Sequence, residues 1–336
     1  MAKSTGARVN EYRNIAIDVV ANGINKARSE LRTQLLSGDV NPHASSAIAG
    51  QRGYPPTKID VVMNDYLGNL VRARVPEVQY FSEESSTNDF PTQGRLYARC
   101  DPLDGTTNAF TALGAYAVVL YFEEYKNDKY NHLAGAIASS DGTIVSWEHF
   151  GGSIGEVWID WPSDFNWPSL EGRDEYLNNS AGSGDDPGFG KQVGKPNGTP
   201  LHGAKLRRVA VVASTVKRWR DVISRFNLTS EPDSNAPKEE QRWLSTLGGN
   251  PFVTPLLLGE LGVIIEPHKI KLHDAAYLIP LTLAGGTVVD FHDIDIPVVT
   301  TAFSDPSNER GVGPFIASTN EDGIKEIFKV KPPPPS

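Results

Sequence analysis

The chain has 336 residues and a formal net charge of -9, long enough for two domains and a sizeable core. Its 41 acidic side chains outnumber 32 basic ones and no dense Lys/Arg run occurs, which argues against nucleic acid as a partner and suits divalent cations. The single cysteine, Cys100, builds neither a disulfide framework nor a zinc cluster, and it reads as a buried thiol at a strand end. The N-terminal stretch MAKSTGARVNEYRN lacks an apolar h-region, and no run approaches the length of a membrane span. The expectation is therefore a cytoplasmic protein with no signal peptide and no membrane partner.

Residues 10–37 place Ile15, Val19, Ala27, Leu31 and Leu35 at helical spacing, which predicts one long amphipathic helix. A loop composition over 37–56 follows, then a second helical period over 60–74 with Leu67, Leu70 and Val71 on one face. Short β-type runs come next at 78–81, 96–100, 116–122, 133–138 and 143–148. Their spacing predicts a large, mostly antiparallel sheet with helices packed on it. Residues 161–203 are rich in Gly, Pro, Asn and Ser and read as a long irregular insertion. Beyond it, strands are predicted at 207–214, 261–267 and 287–291, and a helix carries Trp219, Val222, Ile223 and Phe226. A further helix is predicted over 273–286, ended by glycine, with Pro280 bending it or costing it a hydrogen bond. The predicted organisation is an N-terminal α+β domain over 1–204, a C-terminal α/β domain over 205–330 and a Pro-rich tail over 331–336.

The stretch Asp101-Pro102-Leu103-Asp104-Gly105-Thr106-Thr107-Asn108 carries the chemistry. Pro102 fixes its own φ and biases Asp101 toward extended backbone, so Asp101 is expected to end a strand. A turn through Leu103 then brings Asp104 back beside it and leaves the Leu103 carbonyl as a further hard oxygen. Gly105 permits the turn, and Thr106 and Thr107 open a helix whose unpaired N–H groups suit a phosphate. Two carboxylates this close repel unless one is protonated or a cation lies between them, and hard oxygens suggest Mg²⁺. The spacing is not that of an EF-hand. Three further acidic elements are ambiguous when taken singly. Glu83 and Glu84 read as a solvated acidic loop, and Asp60 and Asp274 each read as a helix N-cap.

Together these elements resemble the inositol monophosphatase family of Mg²⁺-dependent, lithium-sensitive phosphomonoesterases. The Asp-Pro-Leu-Asp-Gly-Thr turn, the preceding Glu83-Glu84-Ser85, the Thr57-x-x-Asp60 element, the Asn197-Gly198-Thr199-Pro200 run and the Asp274-Ala275-Ala276…Ala284-Gly285-Gly286 segment carry the likeness. It implies a layered, alternating helix–sheet fold shared with fructose bisphosphatase, and a homodimer. It also implies two or three Mg²⁺ ions. Glu83, Asp101 and the Leu103 carbonyl would hold the first, and Asp101, Asp104 and Asp274 the second. Asp60 and Thr106 would orient and help deprotonate the attacking water, with Glu83 beside them. The Gly105 and Thr106 N–H groups would hold a phosphate oxygen, and Glu84 would support the ligands from behind.

Departures from the pattern touch the substrate side. His273 stands where the family has Trp, and Ser82 where it has Gly. The Lys271-Leu272-His273-Asp274 run leans toward the histidinol-phosphatase branch. The segment 246–252 and Glu266 stand where the family contacts the organic part of its substrate, next to the phosphate contacts of Asp274. The substrate implied is a small phosphorylated polyol such as an inositol monophosphate. The alternatives are histidinol phosphate, fructose 1,6-bisphosphate, adenosine 3′,5′-bisphosphate, and a catalytically silent homologue that only binds a phosphorylated ligand.

Overall fold

The structure is a computed structural model that describes residues 5–37, 57–82, 92–106, 109, 115–151, 154–160, 191–193, 208–211, 222, 243–245, 249–258, 261–293, 295, 298, 311–319 and 321–329. The predicted helices are present as α1 (Thr5–Ser37) and α2 (Lys58–Arg74). They share one apolar seam, with Val19, Val20, Ala27, Leu67 and Val71 buried together. Among the residues of the predicted faces, Ile15 and Leu70 are only partly covered.

Seven strands form the first sheet in sequence order: β1 (Gln79–Ser82), β2 (Arg95–Asp104), β3 (Ala117–Lys126), β4 (Lys129–Ser139), β5 (Ile144–Gly151), β6 (Ile154–Asp160) and β7 (Lys191–Val193). Only the β1–β2 pair is parallel, so the mostly antiparallel sheet predicted from the strand spacing is present. One expectation is corrected here: residues 161–203 are not wholly irregular. Lys191–Val193 pairs with β6 as an edge strand. β6 itself was not read from the sequence, although Val157 and Ile159 alternate inward along it.

Alternation along the strands gives this sheet two buried faces. Ala98, Cys100, Val118, Leu120 and Ala136 lie under α1 and α2. Val119, Tyr121, Ile137, Trp147 and Val157 face the C-terminal half. That half contributes α3 (Val253–Leu257), α4 (Leu278–Leu283) and a second sheet. The second sheet has the order β12 (Thr287–Asp290), β14 (Phe315–Ser318), β10 (Val263–Glu266), β8 (Arg208–Val211), β9 (Trp243–Ser245). A small pair, β11 (Ile270–Lys271) with β13 (Gly311–Val312), lies beside it. The helix α5 (Glu321–Lys329) packs on β14. Leu256, Tyr277 and Leu281 fill the space between the two sheets, in a single core with residues of β3, β4, β10 and β14. The layers therefore run helix, sheet, helix, sheet, as the resemblance implies.

Two local expectations fail for identifiable reasons. Asp101 does not end β2. The strand continues to Asp104, with a register shift between Asp101, paired to Val119, and Asp104, paired to Ala117. Pro102, which has no N–H for the ladder, sits in that bulge. The predicted helix over 273–286 is likewise shorter than its pattern. Residues 272–279 make i→i−3 bonds, among them Ala275 N–H to Leu272 O and Ile279 N–H to Ala276 O, interrupted at Tyr277, whose N–H goes to Asn250, and α4 begins only at Leu278. Pro280 then falls in the first turn of α4, where a missing N–H costs little, so neither the bend nor the lost bond arises.

Candidate metal centre

The bulge in β2 has a direct consequence for the site. Residues three apart on a regular strand point to opposite faces. The extra residue in the bulge re-aims Asp104 so that it meets Asp101. Asp274 arrives from the turn before α4. Oxygen atoms of Asp101, Asp104 and Asp274 all lie within 4.8 Å of one another. Asp101 is buried, and the other two are partly exposed. One oxygen of Asp101 accepts the Leu103 N–H at 3.1 Å, an interaction that stabilises the carboxylate and pins the bulge.

The donor set fits a small hard cation. Ligand oxygens on one octahedral Mg²⁺, at about 2.1 Å each, lie roughly 3.0–4.2 Å apart, a span that carboxylates already within 4.8 Å of one another reach by side-chain adjustment. Three like charges at this separation, one of them buried, are otherwise mutually unfavourable. Carboxylate oxygens with no thiolate or imidazole among them favour Mg²⁺ over zinc.

Beside the carboxylates lies a second arrangement. Thr57 caps α2, and its backbone N–H and hydroxyl both donate to Asp60 Oδ2, at 2.7 and 2.8 Å. In return Asp60 N–H donates to Thr57 Oγ1 at 3.3 Å. The N-cap is therefore Thr57 and not Asp60, which stands at the third helical position as the reciprocal partner of the capping box. The other Asp60 oxygen, however, is directed at the site, with Oδ1 2.9 Å from Thr106 Oγ1. Thr106 Oγ1 also lies 2.8 Å from the Leu103 carbonyl. Gly105, at φ 83°, makes the left-handed turn that carries β2 into the helical turn at Thr106.

The structure therefore brings together Asp60, Asp101, Leu103, Asp104, Gly105, Thr106 and Asp274. Glu83 and Glu84 lie outside the described residues, as does the Asn197–Pro200 run. Glu266 is at the end of β10, buried to 1% exposure, with Oε1 accepting the His268 N–H at 3.0 Å. His273 Nε2 is 3.6 Å from Asp274 Oδ1. Cys100 is fully buried on the helix-facing side of β2, as expected of a structural thiol. Burial pushes its thiol well above the ordinary range, which leaves no thiolate to act as a nucleophile.

Three residues behind the ligands have roles the sequence did not assign: Gly249 and Asn250 lie in the segment 246–252 expected on the substrate side, and Tyr277 was not singled out. Asn250 N–H donates to Asp104 Oδ2 at 2.5 Å. Gly249 has φ 67° and ψ −142°, a region essentially reserved for glycine, and a Cβ there would collide with Asp104 Oδ2. Tyr277 is fully buried. Burial, then the charges of Glu266, Asp104 and Asp274, push its phenol well above the usual tyrosine range, so it remains protonated beside the carboxylates. The Gly-Gly-Asn-Pro run at 248–251 was the available signal: a glycine pair ahead of Asn-Pro marks backbone of unusual shape.

With that geometry in place, comparison with solved structures identifies the fold. The Thermotoga maritima IMPase superposes with a TM-score of 0.59 at 17% identity, over 94% of this chain and 96% of that one. CysQ from Bacteroides thetaiotaomicron, described as a bacterial member of the inositol monophosphatase family, gives 0.54 at 14% identity over 92% and 97%. SaIMPase-II with bound inositol monophosphate gives 0.53 at 11% identity over 94% and 93%. The fold is that of the inositol monophosphatase family. No protein-family model and no curated protein sequence matches the chain, so the likeness rests on architecture.

Proposed function

We propose that the chain is a Mg²⁺-dependent phosphomonoesterase of the inositol monophosphatase type, acting on a small phosphorylated polyol. The observation that carries this reading is the convergence of Asp101, Asp104 and Asp274 beside the Thr106–Asp60 pair, from segments far apart in sequence. Glu83, Asp101, the Leu103 carbonyl, Asp104 and Asp274 would hold two or three Mg²⁺ ions, which would supply charge neutralisation at the phosphate and Lewis-acid activation. Phosphate monoesters hydrolyse extremely slowly uncatalysed, so positioning and electrostatics must provide most of the acceleration.

The chain's own groups divide that work. Thr57 occupies Asp60 Oδ2 twice and holds the carboxylate still, which leaves Oδ1 to accept the hydrogen bond of the Thr106 hydroxyl. The Thr106 hydroxyl oxygen then accepts from the attacking water and orients its lone pair in line with the phosphorus. The Gly105 and Thr106 N–H groups, at the start of a helical turn, receive a phosphate oxygen. No protein nucleophile is needed, in keeping with the inert Cys100.

The experiment is a phosphate-release screen with Mg²⁺ over inositol, histidinol, fructose and nucleotide phosphates, each repeated with EDTA. Release from an inositol phosphate that EDTA abolishes is the expected result. Preference for histidinol phosphate would move the substrate assignment to that branch and keep the reaction class. Binding of these esters without release from any of them would overturn the enzymatic reading in favour of a silent phosphate-binding homologue.

A further inference from the structure

Asn250 is fully buried, and its three polar groups engage two different ligand segments. Its backbone N–H donates to Asp104 Oδ2. Its carboxamide Nδ2 donates to the His273 carbonyl at 2.8 Å, and its Oδ1 accepts the Tyr277 N–H at 2.9 Å. In a regular helix starting near 273 the Tyr277 N–H would donate to the His273 carbonyl directly. The Asn250 side chain is spliced into that i→i−4 bond. The segment is thereby held as an open turn, and Asp274, lying between the two clamped peptide groups, is presented to Asp104 instead of being wound into a helix.

From this geometry we infer that Asn250 is a positioning residue that sets the span between Asp104 and Asp274, and with it the affinity of the cation position they share. The inference rests on the proposed metal-dependent reading. Asn250 commits its backbone N–H and both carboxamide groups to protein partners. It acts through Asp104 by its main chain and through Asp274 by its side chain. Gly249 makes the approach possible, because any Cβ there would displace the Asp104 carboxylate. Outer partners of this type typically contribute 10–100-fold to metal affinity.

The test is Mn²⁺ binding to the full chain, followed by electron paramagnetic resonance and calorimetry, with Mn²⁺ standing in for Mg²⁺. Asp274→Asn marks which affinity belongs to the position that uses Asp274. Asn250→Leu keeps the side-chain size and removes both carboxamide bonds. It should weaken that affinity by roughly 10–100-fold and leave the other within about twofold. A folded Asn250→Leu protein that retains both affinities overturns the inference.

Should that variant not fold, hydrogen exchange on the wild-type chain decides. Mn²⁺ should protect residues 249–258 and 273–283 over the same concentration range. Protection of 273–283 alone overturns the positioning role. A wild-type chain that binds no divalent cation overturns the metal-dependent reading and the inference with it. Two bound cations, phosphate release and an unaffected Asn250→Leu variant would overturn the inference alone.

Discussion

Thr106 Oγ1 lies 2.9 Å from Asp60 Oδ1 across 46 positions of sequence, and 2.8 Å from the carbonyl of Leu103. The hydroxyl has one proton to give and two acceptors within reach. Asp60 is the charge-bearing acceptor, and its second oxygen is already held by Thr57, so the stronger bond is the one to the carboxylate. That choice leaves the Leu103 carbonyl lone pairs for a cation and the Thr106 lone pairs for water.

Thr106→Val keeps the shape and deletes the hydroxyl. If the water is oriented only in the reacting complex, kcat falls by about 10²–10⁴-fold with KM nearly unchanged. Mg²⁺ binding survives, because the carboxylates and the Leu103 carbonyl are untouched. Steady-state phosphate release checks this. A large rise in KM at constant kcat would make the hydroxyl a phosphate contact instead.

Gly249→Ala attacks the site from behind. The new Cβ meets Asp104 Oδ2 while the backbone is held at φ 67°. We expect a loss of about 1–3 kcal/mol of stability from the backbone alone, together with weaker Mg²⁺ activation. Urea unfolding and a Mg²⁺ titration of activity measure the two effects. An unchanged unfolding midpoint with normal activation would mean that Asp104 has room to move.

Much of this arrangement was legible in the sequence because it is encoded locally. The α1 and α2 periods run over many residues, and inner strands such as β3 are short, nearly continuous apolar runs, as burial on both faces requires. The Asp-Pro-Leu-Asp-Gly-Thr turn announces its carboxylates through neighbouring Pro and Gly. What was not legible depends on distant partners. The β2 bulge is set by the pairing of Asp101 with Val119 and Asp104 with Ala117, and a turn-forming composition cannot reveal that register. The shortening of the 273–286 helix comes from an Asn250 carboxamide 27 residues before Tyr277. The residues 273–277 contain no helix breaker that would have signalled it.

Lithium offers a test of a different kind. Li⁺ is close to Mg²⁺ in size but has half its charge, so at the carboxylate cluster of the proposed enzyme it would satisfy the ligands without supporting turnover. Millimolar LiCl should therefore inhibit phosphate release, and excess Mg²⁺ should inhibit as well. A rate indifferent to LiCl at fixed ionic strength would show that the site holds its cations differently from the arrangement proposed.

The most direct test of the central claim is Mg²⁺-dependent phosphate release by wild-type protein and Asp101→Asn, measured side by side across a Mg²⁺ titration. Asp101 is the buried member of the cluster and the ligand assigned to both cations. Replacing it with Asn removes one charge at constant shape. Several kcal/mol of transition-state stabilisation are expected to go with it, on the order of 10²–10³-fold in rate, and added Mg²⁺ should not restore them. Near-wild-type turnover by Asp101→Asn at ordinary Mg²⁺ would contradict the account.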